Sequence, residues 1–386
     1  MLLRNLNLID GDGRRIGTAD LRITGQQIAA IGPNLPADGE PELELAGKTA
    51  LPGYFNVHTH LCLDYSADPI TALMRESVAE IAVKTAQRAE KALQAGVTTI
   101  RDAGGAHHVD IAIMRLIEAG VVRGPTMHAA GRAICMTGGH GHHFGHEADG
   151  PDGLRKAVRE EMKAGARAIK LIATGGIMTE GTQPGAVQLS EEEMRAAVEE
   201  AHKAGRKVFA HCEGTQGILN AVRAGVDSVE HGYWLTDQCI EEMLERGTIY
   251  VPTLTADMRL IEYGEEAGIP NWIMEKIRPC RDVIFQSFTR AIQAGLPIAC
   301  GTDSGTAFNP TEDTPAEFEY MVRFGLSPAK ALATIGISAG LMGLEDRGYL
   351  RAGLRADIVI LDGDPLEDIR DASKVEMVFQ AGKRVR

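Results

Sequence analysis

Two histidines stand two residues apart in Asn56-Val57-His58-Thr59-His60, at the end of the first long apolar run of the chain. Because alternate side chains of a β-strand point to the same face, His58 and His60 are expected to project together. Imidazoles grouped in this way are typical ligands of zinc and similar divalent ions. A single H-x-H pair is a weak signal, so the prediction depends on the residues that other strands place beside it.

Four further ionisable residues lie in or at the end of later apolar runs, namely Lys170, His211, His231 and Asp303. Histidine and carboxylate side chains suit zinc or a related ion. Each residue also has a simpler interpretation, because the histidines could be hydrogen-bonded core residues and Asp303 could cap the following helix. Their coincidence at strand ends favours one shared site.

Lys170 lies in the apolar run Ala168-Ile169-Lys170-Leu171-Ile172-Ala173, where a long side chain cannot reach water. A buried lysine must find an anion, lose its proton or be chemically modified. Two divalent ions that face four histidines and one aspartate need a bridging anion, and an N-carboxylated Lys170 would supply it. The alternative is an ion pair between Lys170 and a buried acid such as Asp303.

The composition limits the class of protein. The 386 residues carry a formal net charge of −13, from 40 Lys and Arg against 53 Asp and Glu. This balance, without a basic block, argues against nucleic acid or an anionic membrane as a partner. The six cysteines show no paired spacing, which predicts reduced thiols in a cytoplasmic protein. We expect no signal peptide and no transmembrane segment, because residues 1–5 lead into a strand pattern and no apolar run could span a bilayer.

From residue 51 onward, short apolar runs alternate with amphipathic segments. The predicted strands cover residues 50–60, 98–103, 126–131, 168–174, 207–211, 228–231, 248–253 and 297–302. Helical patterns lie between them, such as 190–204, which opens on a capping box formed by Ser190 and Glu193. Eight strands, each followed by a helix, predict an α/β fold with a closed (β/α)8 TIM barrel.

The two chain ends differ from this pattern. Short alternating strands occupy residues 1–50, and the same character returns after residue 350. Either end alone has too few strands to bury a face. We therefore expect a small flanking β-sandwich composed of residues 1–50 and 350–386. Residues 51–349 would form the barrel domain, with a helical pair over 328–342 leading back to the sandwich.

In an eight-stranded barrel, inward residues at the carboxyl ends of the strands meet in one pocket, where active sites form. The predicted strand order puts the six candidates on strand one (His58 and His60), strand four (Lys170), strand five (His211), strand six (His231) and strand eight (Asp303). One shared metal site is therefore the preferred interpretation of all six.

The motifs around these residues resemble those of the amidohydrolase superfamily over essentially the whole chain. They are Leu51-Pro52-Gly53 before His58-x-His60, Thr99-Ile100-Arg101-Asp102-Ala103-Gly104-Gly105, Thr137-Gly138-Gly139-His140, Ile169-Lys170 with Ala173-Thr174-Gly175-Gly176, Ala210-His211, Glu230-His231-Gly232 and Gly301-Thr302-Asp303. The tail over residues 353–365 is similar to the closing segment of that family. The chain resembles in particular the branch of binuclear zinc peptidases and amidases described as prolidase-like or imidazolonepropionase-like.

The resemblance implies a role for each candidate ligand of two divalent ions, expected to be Zn²⁺. The implied ligands are His58, His60 and Asp303 for the more buried ion, His211 and His231 for the other, and N-carboxylated Lys170 as the bridge. A hydroxide shared by two cations forms at neutral pH because metal ions strongly lower the pKa of water. It would attack an amide carbonyl, with Asp303 as the general acid and base.

His140, in the loop after strand three, is similar to a family histidine that contacts the carbonyl or the developing oxyanion. It is predicted to be catalytic and to bind substrate, and the alternative is a secondary metal-binding role for this histidine-rich loop. The same loop contains His142, His143 and His146, which are predicted to be loop or lid residues.

Substrate contacts are predicted at three more positions. Dipeptidase-like relatives often carry a tyrosine two residues after the strand-five histidine, suited to a substrate carboxylate, whereas this chain has Glu213. Glu213 could recognise a cationic group or cap the following helix. Tyr233 could supply a phenol or only pack, and Arg101 could bind a carboxylate or form a structural salt bridge.

We therefore expect a metal-dependent hydrolase that cleaves an amide C–N bond of a small molecule, such as a dipeptide, an N-acyl amino acid or an amide-linked xenobiotic. The alternative is a mononuclear deaminase or cyclic-amide hydrolase of the imidazolonepropionase type. Lys170 argues against that alternative, because single-ion members usually lack the bridging residue. A non-catalytic scaffold is disfavoured because all six ligand positions are occupied. We also expect a homo-oligomer, since barrel enzymes of this size commonly self-associate.

Overall fold

The computed structural model describes the backbone of residues 1–386 and every side chain except that of residue 265. Its strands are β1 (Leu2–Ile9), β2 (Arg15–Thr24), β3 (Gln27–Gly32), β4 (Glu42–Glu44), β5 (Thr49–Pro52), β6 (Tyr54–Thr59), β7 (Val97–Asp102), β8 (Thr126–Ala129), β9 (Ile134–Cys135), β10 (His146–Glu147), β11 (Ala168–Ile172), β12 (Lys207–Cys212), β13 (Ser228–His231), β14 (Ile249–Val251), β15 (Ile358–Leu361), β16 (Val375–Gln380) and β17 (Lys383–Arg384). Its α-helices are α1 (Pro69–Leu73), α2 (Val78–Gln94), α3 (Val109–Glu118), α4 (Gly150–Ala164), α5 (Glu191–Lys203), α6 (Thr215–Ala224), α7 (Asp237–Arg246), α8 (Leu254–Tyr263), α9 (Asn271–Ile277), α10 (Arg281–Ala294), α11 (Pro315–Arg323) and α12 (Pro328–Leu341).

The strands from the two chain ends form one sheet in the order β17-β16-β15-β5-β1-β2-β3, with β4 beside β1. The ends meet where β5 and β15 run antiparallel, with Thr49 opposite Leu361. Apolar side chains pack together on this sheet, among them the buried Leu6, Leu21 and Phe379. This strand content is compatible with the predicted flanking β-sandwich. The domain limits at residues 50 and 350 stay a prediction.

The remaining strands are parallel and fall into two sets, β6-β7-β8 and β10-β9-β11-β12-β13-β14. Backbone hydrogen bonds connect the edges of the two sets. They run from Arg167 N to Ala129 O (2.8 Å), from Tyr250 N to Pro297 O (3.0 Å) and from Val57 N to Cys300 O (2.8 Å). Residues 297–302, predicted as strand eight, therefore lie between β14 and β6. They form isolated backbone hydrogen bonds with these strands and are not a regular strand. The strand ends that carry the candidate ligands are held side by side by this arrangement.

Helices follow the parallel strands in sequence, and their first turns agree with local sequence signals. The predicted capping box of α5 is confirmed, because Ser190 Oγ accepts a hydrogen bond from Glu193 N at 3.2 Å and Glu193 Oε2 accepts one from Ser190 N at 2.8 Å. Three helices, α8 to α10, follow β14 where the alternating pattern predicts one. They lengthen the connection that leads to Asp303.

The predicted helical pair over 328–342 is a single helix, α12. Gly336 lies inside this helix, and because it has no side chain another segment approaches it closely. Gly336 N donates to Gly11 O at 3.0 Å, and a Cβ at Gly336 would lie 2.7 Å from that oxygen. The glycine thus marks a packing contact instead of a break between two helices.

Two further expectations concern the chain as a whole. Of the described helices, none combines the length and apolar character that crossing a bilayer requires. All six cysteines are buried and unpaired, as the absence of paired spacing predicts.

Candidate active site

The carboxyl ends of the parallel strands bring the predicted ligands around one cavity of about 80 Å³. The ionisable residues along its wall include His58, His60, His140, Lys170, His211, His231 and Asp303. Two of them have left-handed backbone conformations, His231 with φ 70° and Asp303 with φ 53°. Such conformations are uncommon for residues other than glycine and occur often at functional sites.

The Asp303 carboxylate lies among the imidazoles. Its Oδ1 is 3.4 Å from His58 Nε2 and 3.3 Å from His60 Nε2. Burial alone would raise the pKa of this carboxyl, but His58, His60 and His231 lower it well below its usual range. Asp303 is therefore ionised at neutral pH and can hold a cation or orient a hydrogen-bond donor.

The second ring nitrogens of three histidines have fixed partners. The contacts are His58 Nδ1 to Glu230 Oε2 (2.7 Å), His60 Nδ1 to Gly104 O (3.0 Å) and His231 Nδ1 to Thr253 Oγ1 (2.8 Å). When Nδ1 donates to an oxygen, Nε2 keeps its lone pair, as in metal-binding histidines. Burial also lowers the pKa of His58, and it lowers that of His231 to about 4, so both rings are neutral at pH 7.

Lys170 is buried in β11, with Nζ 3.2 Å from His58 Nε2. Burial lowers its pKa to about 8, and this effect outweighs the opposing influence of Glu230 and Asp303. Within the described part of the chain, Lys170 forms no ion pair, so the alternative pairing with Asp303 is not observed. The amine lies beside the imidazoles in a form that loses its proton more easily than an exposed lysine.

His140 and His211 extend the imidazole group, with ring centroids 4.6 Å apart. Burial lowers the pKa of His140 to about 3, and its buried Nδ1 has no hydrogen-bond partner among the described residues. Gly176 makes the close packing possible, because a Cβ there would lie 2.7 Å from His140 Nε2 and 2.8 Å from His211 Cε1. A neutral ring with an unused nitrogen is thus held at the cavity wall.

These donors suit a divalent metal ion. One ligand atom from each of His58, His231 and Asp303 lies within 4.8 Å of the others. Neutral imidazole and ionised carboxylate are the forms that bind such ions. The residues present therefore fit the metal chemistry that their types predict, although this trio draws on both of the ligand groups that the resemblance implies.

Residues 49–385 match the Amidohydrolase family. The chain belongs to this family. Ochratoxinase from Aspergillus niger is 31% identical to it, over 97% of this chain and 84% of its own length. The crystal structure of a Xaa-Pro dipeptidase with bound methionine in the active site has a TM-score of 0.92 at 30% identity, covering 99% of this chain and 98% of that one. A prolidase complexed with N-methylphosphonate-L-proline has a TM-score of 0.90 at 28% identity, covering 99% and 98%.

Membership of the amidohydrolase family confirms the resemblance drawn from the motifs. It also confirms the predicted class, a hydrolase that acts on carbon–nitrogen bonds. The structural neighbours indicate a fold of the TIM-barrel type for the parallel strands and their helices. Divalent metal ions are general in this family, and this amidohydrolase has a histidine and aspartate cluster suited to them.

Two of the three additional predicted substrate contacts, Glu213 and Tyr233, line the cavity of this amidohydrolase. Arg101 is instead fully enclosed by protein. Its Nη2 donates to Glu230 Oε1 at 2.9 Å, and its guanidinium lies 3.8 Å from the ring centroid of Phe209. This position corresponds to the salt-bridge interpretation of Arg101 and leaves its guanidinium engaged with protein groups.

The cavity wall of the amidohydrolase contains a second acid beside Glu213. Asp257, in the first turn of α8, accepts a hydrogen bond from the Tyr233 hydroxyl. Burial raises the pKa of Glu213 and that of Asp257 above their usual ranges. Tyr233 therefore both packs at the wall and holds one carboxyl oxygen of Asp257.

The three histidines that follow His140 do not lie on the described cavity wall. His142 Nδ1 is 2.9 Å from Gly139 O, and the ring centroids of His142 and His143 lie 4.0 Å apart, with the ring planes tilted by 40°. His146 Nδ1 is 2.7 Å from Glu161 Oε1. A lid role for this loop stays a prediction.

The same loop supplies Phe144 to the wall, with its ring 6.1 Å from that of His60. An apolar ring in this position covers part of the imidazole group.

Three residues at the site, Glu230, Thr253 and Asp257, are not singled out by the sequence reasoning. The rule applied to Lys170, that a charged residue in an apolar strand needs a partner, would also have selected Glu230. Thr253 and Asp257 follow β14 without a local signal. Their roles depend on side chains from other strands.

Proposed function

We propose that this chain is a metal-dependent amidohydrolase that cleaves the amide bond of a small molecule. The observation that carries the proposal is the position of Asp303. Its carboxylate lies within 3.4 Å of Nε2 of His58 and His60, in a cavity that His140, His211, His231 and Lys170 also line. An ionised acid beside the neutral imidazoles of His58 and His231 can serve both as a cation ligand and as a proton carrier.

The side chains proposed to hold two Zn²⁺ ions are His58, His60 and Asp303 for one, His211 and His231 for the other, and N-carboxylated Lys170 between them. A neutral amine is the form that adds carbon dioxide, and the lowered pKa of Lys170 supports this modification. Bound there, the ions would polarise the substrate carbonyl and activate the attacking water. We further propose that the parallel strands close into an eight-stranded barrel.

Asp303 takes the proton of the attacking water and passes it to the leaving nitrogen. His140 donates a hydrogen bond to the carbonyl oxygen as negative charge develops on it. The neutral state of His140 and its unpartnered Nδ1 support this role. A donor of this kind lowers the barrier by about 3 kcal/mol.

The amide chemistry and the similar proteins support a substrate class. Those proteins include an ochratoxinase and a Xaa-Pro dipeptidase with bound methionine. For this chain we propose a dipeptide, an N-acyl amino acid or an amide-linked xenobiotic.

The test is amine release from a panel of dipeptides and N-acyl amino acids by protein reconstituted with zinc. We expect release from at least one substrate, its loss after dialysis against a chelator, and its return with added zinc. A metal-loaded protein that releases amine from no member of the panel would contradict the proposed function.

A single-ion deaminase or cyclic-amide hydrolase is the second candidate, because His58, His231 and Asp303 alone form a compact donor group. Metal analysis of the purified protein separates the two candidates. About two ions per chain, falling to about one in Lys170→Ala, favour the binuclear enzyme. About one ion in both proteins favours the alternative.

A further inference from the structure

Two carboxyl groups at the cavity have no part in the proposed hydrolysis. Glu213 follows β12 directly, and Asp257 lies in the first turn of α8. Their exposed fractions are 1% and 3%, and both side chains line the same cavity as Asp303. Two separate segments thus bring buried acids to one wall.

Each of these carboxyl groups has an oxygen without a hydrogen-bond partner among the described residues, Glu213 Oε2 and Asp257 Oδ2. The other oxygen of Asp257 accepts from the Tyr233 hydroxyl. An ionised carboxyl group at this depth is costly unless a cation or another donor compensates it, so a bound cation would favour the ionised form of both acids. No described protein group therefore occupies these two oxygens, and both remain available to a donor on a bound molecule.

The nearby lysine does not supply this donor. Lys276 acts on Glu213 through its charge, yet its Nζ donates to Thr179 O at 2.6 Å and lies 5.0 Å from the ring centroid of Trp272. In the described part of the chain it forms no ion pair with Glu213. The free oxygens are thus left for a group that enters the cavity.

The position of Glu213 sets where such a group would sit relative to the reaction. Glu213 Oε1 is 3.6 Å from His211 Nε2, so the acid is adjacent to the imidazole group. With the substrate carbonyl bound at the imidazole group, as the proposed function has it, a donor bound by Glu213 would lie near that carbonyl and not at the far end of a long substrate. An α-ammonium group, attached to the carbon next to the carbonyl, meets this requirement.

We propose that Glu213 and Asp257 form a subsite for a protonated amine of the amide substrate. The inference rests on the proposed function and narrows its substrate class to amides with an ammonium group, foremost dipeptides with a free α-amino group. An ammonium group carries three donors and a positive charge, which match the free oxygens of two carboxylates. An N-acyl amino acid with a neutral acyl group leaves those oxygens unpaired and binds less well.

Binding of two non-hydrolysable probes of nearly equal shape tests the subsite directly. Alaninol carries an ammonium group where 2-methyl-1-propanol carries a methyl group. Calorimetry with the zinc-loaded protein is expected to give at least tenfold tighter binding of alaninol. Equal binding of the probes, or no binding of either, overturns the subsite.

Variants assign the preference to the two acids. We expect the ratio of the two affinities to fall to within threefold of unity in Glu213→Gln and in Asp257→Asn, which keep the shape of each side chain. Asp152→Asn, at a side chain that is 99% exposed, is the control for loss of one negative charge and should keep the full ratio. Retention of the preference in either cavity variant overturns the proposal.

Turnover distinguishes this inference from the proposed function. Alanyl-leucine and isobutyryl-leucine differ only by an ammonium group in place of a methyl group next to the carbonyl. In a second pair, Nα-acetyl-lysine carries an ammonium group at the end of its side chain, whereas the side chain of acetyl-norleucine is a neutral alkyl chain. Faster hydrolysis of the cationic member of either pair supports the subsite and shows which position the ammonium occupies. If the neutral member of each pair is hydrolysed as fast as the cationic member, the subsite is overturned and the proposed hydrolase function stands. Selective alaninol binding without any hydrolysis supports the subsite and contradicts the proposed function.

Discussion

At the scale of single residues, the site depends on side chains that fix the orientation of others. Glu230 Oε2 lies 2.7 Å from His58 Nδ1, while its Oε1 accepts hydrogen bonds from Arg101 Nη2 at 2.9 Å and from Ser228 Oγ at 2.6 Å. These bonds hold the imidazole so that its Nε2 faces Asp303. Residues that never touch a substrate thus determine the geometry of those that would.

Replacing Asp303 by Asn removes the proposed proton carrier with little change in shape. We expect kcat/KM for a confirmed amide substrate to fall about 10³-fold, within the range usual for loss of general acid–base catalysis. Steady-state kinetics of Asp303→Asn, beside Asp152→Asn as a charge control, measures the effect. Full turnover by a folded Asp303→Asn protein would contradict the assigned role.

Replacing Glu230 by Gln tests the support of His58. The variant weakens the acceptor for His58 Nδ1 and leaves Arg101 without its salt-bridge partner. We expect zinc affinity to fall about 10- to 100-fold, as is common when a partner of a metal-binding histidine is lost. Competition with a chromophoric chelator measures the affinity, and an unchanged affinity would show that this contact does not tune the ligand.

The ligand candidates were predictable from the sequence because each combines an unusual residue type with the end of an apolar run. His58, His60 and Lys170 are examples, and all three line the cavity. Arg101 could not be placed in the same way, since its partner Glu230 comes from a strand distant in sequence. A contact between side chains of two different strands leaves no pattern in the local sequence of either strand.

At the scale of secondary structure elements, capping boxes fix where two of the connecting helices, α2 and α5, begin. The hydroxyl of Ser190 accepts from Glu193 N at the start of α5, and Ser77 and Glu80 form the same box at the start of α2. A cap satisfies backbone donors that the first turn of a helix leaves free. The positions of the strands that follow depend on these well-defined starts.

Ser190→Ala removes one of these caps. We expect the free energy of unfolding to decrease by about 1 kcal/mol, the usual value for loss of an N-cap side chain. Urea unfolding measures the change, and Ser190→Thr is the matched control because it keeps a hydroxyl. A loss as large in the threonine variant would assign the effect to packing instead of capping.

Elements with strong periodicity or a cap were the most predictable, and α5 is an example. Residues 297–302 show why others were not. Their apolar run predicts a strand, yet the structure pairs their backbone with β14 and β6 through isolated hydrogen bonds and not through a regular ladder. The regularity of a strand depends on the register of both neighbours, which the run itself does not contain.

At the scale of the whole molecule, the proposed metal ions would connect strands from both halves of the chain. His58 Nε2 and Asp303 Oδ1 lie 3.4 Å apart although β6 and residue 303 are distant in sequence. An ion that binds the folded chain but not the unfolded chain stabilises the fold by mass action.

Removal of metal should therefore lower the melting temperature. We expect a chelator to lower Tm by several degrees and added zinc to restore it, since a ligand at 100 times its Kd contributes about 2.7 kcal/mol. Scanning calorimetry of wild type and of a His58→Ala, His60→Ala double variant measures the effect. A chelator shift of equal size in the double variant would place the stabilising ion elsewhere.

The pairing of the two chain ends was predictable because neither end has enough strands to bury a face alone. Which strands pair was not predictable, since the register that joins β5 to β15 is not determined by the sequence of either strand. The same contact includes an ion pair between Lys48 Nζ and Asp362 Oδ1 at 2.8 Å, between residues 314 positions apart.

This long-range closure has a consequence for synthesis on the ribosome. One edge of β5 has no partner until residues 358–361 have been translated, roughly 15 to 60 s after β5 itself at usual elongation rates. An open strand edge is a template for intermolecular pairing. The nascent chain thus passes through a period in which this edge is open to such pairing, and a premature stop before β15 would leave it open even though every proposed metal ligand had already been made.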